Sequence, residues 1–161
     1  MTDPRCADDR SLRALHEAAH AVVAALIGFD FDSVTLPEAD DAKVGLAFTR
    51  YDLQAGESGD AVSDHYMEAR ITMRLAGDAL ESELCGAVRF AGQDILDAQA
   101  DSAAVTDDPE DAAEIRKRCR ARARRLVESA RDEIDAVAAA LMDQTTLDWS
   151  EVAAIVLGRP D

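Results

Sequence analysis

"LRALHEAAHAVVAALIG", residues 12–28, sets Leu12, Leu15, Ala19, Val22, Val23, Leu26 and Ile27 at helical spacing and closes on a glycine, the residue that most readily takes the left-handed backbone of a helix stop. Asp8, Asp9 and Ser11 stand before it as N-cap choices. The spacing predicts a helix whose apolar side chains bury it in a core. Two of the chain's three histidines, His16 and His20, lie inside it.

The chain of 161 residues is 48% apolar but only 4% aromatic, so its core draws mainly on Ala, Leu, Val and Ile, a mixture that favours packed helices over a sandwich. One domain is expected at this length, spanning residues 12–157 between a flexible N-terminus at 1–11 and a tail at 158–161. "FDSVTLP" and "KVGLAFTR" read as two strands joined by the polar turn "EADDA". The fold class expected is therefore mainly α with a small β element.

Residues 54–60, "QAGESGD", read as a loop, after which a second helix starts near Ala61 or Asp64 and runs to about Cys85. Val62, Tyr66, Ala69, Met73, Ala76, Leu80 and Leu84 form its apolar stripe, and Gly77 permits a close approach or a slight bend. Residues 87–106 lack a sustained period and read as an irregular connection of the long kind that often serves function. In "DDPEDAAEI", Asp107 and Glu110 form a capping-box pattern around Pro109, opening a long helix or a pair of helices to about Met142. Asp148 and Glu151 repeat that pattern before a last helix, with Leu147 and Trp149 placed to staple it down.

A formal charge of −16 argues against binding nucleic acid or an anionic membrane surface. The basic run "RKRCRARARR", residues 116–125, points all round a helix, with Glu110, Asp111, Glu114, Glu128, Asp132 and Glu133 as partners. It reads as a solvated, ion-paired helix, with contact to an acidic neighbour in a homo-oligomer as the other use. The start of the chain lacks a signal-peptide pattern and no apolar run approaches the roughly 20 residues of a membrane span. Cys6, Cys85 and Cys119 are odd in number and show no CxxC spacing, so neither a disulfide framework nor a thiolate zinc knot is expected. Reduced cysteines in a cytoplasmic protein are the expectation.

His16-Glu17-Ala18-Ala19-His20 is an H-E-x-x-H sequence. Residues four apart share a helix face, so both imidazoles can bind one zinc ion, and Glu17 on the adjoining face is placed to take a proton from a water as it attacks a peptide carbonyl. Catalytic zinc usually keeps three protein ligands, so a third lies farther along. His65, in "SDHYMEAR", reads as a surface residue at a helix start, which leaves the carboxylates.

Several stretches resemble the peptidase domain of FtsH-type zinc metalloproteases. "HEAAHA" is similar to the family's HEAGHA, and "SVTLPEADDAKVGLAF" to its V-T-I-x-P stretch and following strand. "LAGDALESELCG" resembles GGRAAEELxxG, with Gly77 and Glu81 at its Gly and first Glu, and "TLDWSEVAAIV" resembles E-T-L-x-x-x-E-V. "DDPEDAAEI" resembles S-N-D-I-x-x-A-T-x-I, whose aspartate is the family's third zinc ligand; with Ala112 and Ile115 in register, that ligand is Asp108. Asp107, one residue off, and Glu81, on a later helix, are the alternatives.

The resemblance implies a zinc-type active-site helix with metal ligands His16, His20 and Asp108, Glu17 as general base, and a substrate edge strand at Gly45, Leu46, Ala47, Phe48 and Thr49. It implies a metalloendopeptidase acting on unfolded or loosely folded polypeptides. No phosphate loop of the family's ATPase module is present, so a separate unfoldase is an expected partner. The other expectation is a non-enzymatic binding or assembly module with a structural metal.

Overall fold

The computed structural model describes residues 2–37, the backbone of 46–47, and residues 64–158. Helix α1 (Asp9–Ile27) begins where the Asp8 carboxylate accepts the Ser11 N–H at 2.9 Å and ends at Gly28, whose φ of 84° is the left-handed stop that the sequence predicts. Ala21, Val22, Val23 and Ala24 are all fully buried. Four successive residues at 3.6 per turn cover the whole circumference, so α1 is enclosed on every side along this turn.

The enclosing elements are α2 (Asp64–Arg74), α3 (Ala76–Cys85), α5 (Pro109–Ser129), α6 (Arg131–Gln144) and α7 (Trp149–Leu157), with α4 (Gly92–Val105) laid on α2 and α5. A small antiparallel sheet has the order β2-β1-β3, from β1 (Ser33–Thr35), β2 (Leu46–Ala47) and β3 (Thr146–Asp148). Val34 pairs with Leu46 on one side and Leu147 on the other. The fold is mainly helical with a minor sheet, as composition predicts.

The last helix starts as expected: Glu151 N–H donates to Asp148 at 2.9 Å and Asp148 N–H donates back to Glu151 at 2.8 Å. Leu147 is buried, and Trp149 meets Phe31 edge to face with ring centroids 5.1 Å apart. Strand β3 was not expected, because three residues are too few to show a period and only pairing with β1 makes them a strand. The loop at 54–60, the turn at 38–42 and the start of the second helix at 61–63 lie outside the described residues. That second helix is two, α2 and α3, broken at Leu75.

Residues 87–106 are not an irregular connection. Most of them form α4, whose buried residues are Ala98, Asp101 and Ser102, too small and polar to print an apolar stripe. Charge holds it instead: Asp101 takes Arg74 at 2.6 Å and Arg70 at 3.1 Å, and Asp97 takes Arg74 at 3.2 Å. Ion pairs also engage the basic run, both across helices and along its own, where Lys117 pairs with Glu114 at 3.6 Å. Arg118 reaches Glu68 on α2 and Arg120 reaches the buried Asp78 on α3 at 2.6 Å, whereas Arg124 pairs with Glu128 four residues on.

One expectation, about the cysteines, is overturned. Ahead of α1, Pro4–Ala7 form a 3-10 turn capped by Asp3, and Arg5 ties it to Asp135 of α6 at 2.7 Å. Cys6 is bonded to Cys85, 79 positions further along the sequence. Local spacing carries no trace of a pairing that the tertiary fold creates, and only Cys119 is a free, buried thiol. Among the described residues no helix is long and apolar enough to cross a membrane.

A cross-link closing so long a loop restricts the unfolded chain and typically stabilises by about 2–4 kcal/mol. For a domain of this size each kcal/mol moves the melting temperature by about 2–4 °C. Reduction should therefore lower Tm by roughly 10 °C, measured by circular dichroism with and without a phosphine reductant.

Candidate metal centre

His16 and His20 face inward from α1, 3% and 5% exposed. Their rings meet edge to face with centroids 4.7 Å apart. The His16 Nδ1 lies 2.6 Å from Oε1 of the fully buried Glu81 on α3. Glu81 also accepts the backbone N–H groups of Arg89 and Phe90, the latter at 3.2 Å. Burial opposes its charge, but the hydrogen bonds from His16 and Arg89 prevail and hold its carboxyl below the usual range. An ionised carboxylate only accepts, so His16 Nδ1 is the donor. His20 Nδ1 likewise donates to the Met73 carbonyl at 2.8 Å.

With both Nδ1 atoms committed as donors, each neutral ring turns a lone pair outward on Nε2. Those two nitrogens lie 3.0 Å apart, and Oδ2 of Asp94 on α4 lies 3.1 Å from one and 3.2 Å from the other. Three acceptor atoms thus converge with no donor among them, an arrangement that only a cation, a proton or a metal ion, makes favourable. As protonated groups, the pair is held strongly: burial opposes charge on His16, but Asp94 and Glu81 raise its pKa to about 10, and the histidines hold Asp94 far below the usual carboxylate range against its own burial.

The donor set also fits a metal. Two imidazole nitrogens and a carboxylate oxygen are common zinc ligands, and at bond lengths of about 2.0–2.1 Å tetrahedral ligand atoms stand roughly 3.3 Å apart, close to the spacing here. His16 bonded to a carboxylate and His20 to a carbonyl are the supporting contacts that fix tautomer and ring orientation at metal sites. His16, His20 and Asp94 form a buried group able to hold a metal ion.

Local structure explains the precision of this group. Spacing of four on α1 presents both rings to one point. Gly77 lets α3 lie against them: a Cβ there would stand 2.5 Å from His16 Nδ1 and 2.7 Å from Nε2, inside any real contact distance. The close approach expected of this glycine is therefore to a histidine ring. Phe90 meets His16 edge to face, with centroids 6.5 Å apart, and Arg13 lies 4.6 Å from the Phe90 centroid. Glu17, partly buried beside the pair, has its pKa raised by burial against the opposing field of His20 and His16. Among the described residues no hydrogen bond engages its carboxylate.

Asp108 has a different task from the one expected. It is exposed at the start of α5, where its carboxylate accepts the N–H groups of Glu110 at 2.8 Å and Asp111 at 3.3 Å. It is the cap, one residue later than the Asp107 pattern predicts, and Asp107 is exposed beside it. Glu81 orients His16 rather than joining the trio, and His65 is an exposed residue at the start of α2, as its surroundings predict. Leu46 and Ala47 form β2, whose one neighbour among the described residues is β1. Gly45, Phe48 and Thr49 lie outside those residues. Asp94 escaped sequence reasoning because α4 itself was not recognised.

No protein-family model matches the chain, and no curated protein matches it.

The two aspartates give opposite predictions. Asp94→Ala should weaken zinc binding by more than the roughly 10–100-fold typical of losing an outer-shell partner, measured by competition with a chromophoric chelator. Asp108→Ala should leave zinc affinity intact and lower stability by about 1 kcal/mol, the usual worth of a helix N-cap. Gly77→Ala should abolish tight zinc binding while the helical circular dichroism spectrum persists, because its methyl group takes the space of the His16 ring.

Proposed function

We propose that the protein is a zinc-dependent metallopeptidase of the FtsH-peptidase-like kind, with His16, His20 and Asp94 as metal ligands and Glu17 as general base. The observation that carries this reading is the convergence of three acceptor atoms beside a carboxylate on the same helix. A zinc ion held there supplies Lewis acidity to a substrate carbonyl and to a nearby water.

The chain's own residues do the rest. Glu81 and the Met73 carbonyl fix the two imidazoles, so the ligands need little rearrangement on loading. Glu17, adjacent in sequence to His16 but on the next face of the helix, takes a proton from the attacking water and returns it to the leaving amine. The position of β2, whose one neighbour among the described residues is β1, supports substrate entering as an added strand, whose backbone pairs with the sheet.

Placing Asp94 in the ligand set also supports the family resemblance. Asp94-Ile95 with Ala98 carries the D-I-x-x-A of the family's ligand segment, a fuller match than Asp108-Pro109 with Ala112. Unfolded or loosely folded polypeptides are the proposed substrates, delivered by a separate unfoldase where they are folded.

Glu17→Gln should retain zinc and lose about 10²–10⁴-fold in cleavage rate, measured on a fluorogenic casein. A zinc-loaded parent that cleaves neither casein nor any peptide in a mixed library would overturn the peptidase reading.

A further inference from the structure

We infer that the Cys6–Cys85 disulfide is a positioning element of the metal centre, so that thiol reductants weaken its hold on metal. The inference rests on the metal-centre reading above and adds regulation to it. Cys85 is the last residue of α3, the helix that sets Gly77 against His16 and hydrogen-bonds Glu81 to it. Immediately after, Gly86 takes a φ of 67° and turns the chain back. The returning backbone then delivers the Arg89 and Phe90 N–H groups to the Glu81 carboxylate.

The same short return is clamped to the N-terminal turn. The Arg89 guanidinium donates to the Cys6 carbonyl at 2.8 Å and pairs with Asp9 of α1 at 3.0 Å. The disulfide and the Arg89 contacts thus hold one strap from two points, and the strap holds the carboxylate that orients a metal-binding ring. His16, Glu17, His20 and Glu81 all lie within the loop that the cross-link closes, whereas Asp94 lies outside it.

Reduction by two equivalents of a thiol breaks the S–S bond. Each sulfur gains an electron and a proton, and the reductant becomes a disulfide. Without that anchor, the Arg89 contacts to Cys6 and Asp9 are left to hold the strap, and Glu81 loses its fixed aim at His16. Loss of such outer-shell order typically weakens metal binding about 10–100-fold.

The test measures zinc affinity by chelator competition, and the visible absorption of bound cobalt(II), for three samples. These are the oxidised protein, the protein reduced by a phosphine that is then removed anaerobically, and a Cys6→Ser/Cys85→Ser variant. About tenfold weaker binding in both the reduced and the serine forms, with an altered cobalt spectrum, is expected; agreement between the two shows that freed thiols are not acting as ligands. Arg89→Gln in the oxidised protein should weaken binding in the same direction.

Val127→Ala, which hollows the core at a fully buried position on α5, should leave affinity within twofold. Equal affinity in all oxidation states overturns the inference while leaving the metal centre standing, and equal weakening in Val127→Ala overturns it as mere loosening. Failure of the oxidised protein to bind either ion overturns both.

Discussion

Everything else in the molecule is arranged around the enclosure of α1. A helix buried on all sides must present small or apolar residues in every direction, and here alanine does most of that work: Ala14, Ala18, Ala19, Ala21 and Ala24 are each fully buried. Short side chains let the neighbouring helices approach closely, and close approach brings Glu81, Gly77 and Asp94 to the histidines. A bulkier α1 would hold α3 away from His16. The same constraint makes the polar residues of α1 costly unless satisfied, and both rings have their Nδ1 hydrogens placed on buried acceptors.

The trio of His16, His20 and Asp94 gathers three ligand atoms that a shared proton or a metal ion must reconcile. Each element is well made alone, yet together they set three lone pairs within about 3 Å of one another. The supporting contacts point the same way, because Glu81 and the Met73 carbonyl fix which nitrogen of each ring is left for the ion. Glu17 differs from these carboxylates by remaining without such contacts among the described residues.

Charge does structural work in this acidic chain. Arg70, Arg74, Arg118 and Arg120 tie α2, α4 and α5 to one another and to α3 through carboxylates. Exposed pairs of this kind contribute little individually, but Asp101 and Asp78 are buried, and removing an arginine would leave a buried carboxylate uncompensated. This explains how α4, with almost no apolar face, holds Asp94 in position.

The sequence by itself determined what lies within one helical turn. It specified α1 and its stop at Gly28, the Asp148–Glu151 cap, the mainly helical class, and His16, Glu17 and His20 as a metal-site motif, because periodicity, capping and i,i+4 spacing act over a few residues. Tertiary structure alone decided the third acidic partner, the pairing of Cys6 with Cys85, strand β3 and helix α4. Each of those depends on partners far along the chain. Asp94 lies in the first turn of α4 and Asp108 caps α5; what separates them is that the start of α4 reaches both His16 and His20, while the start of α5 faces solvent.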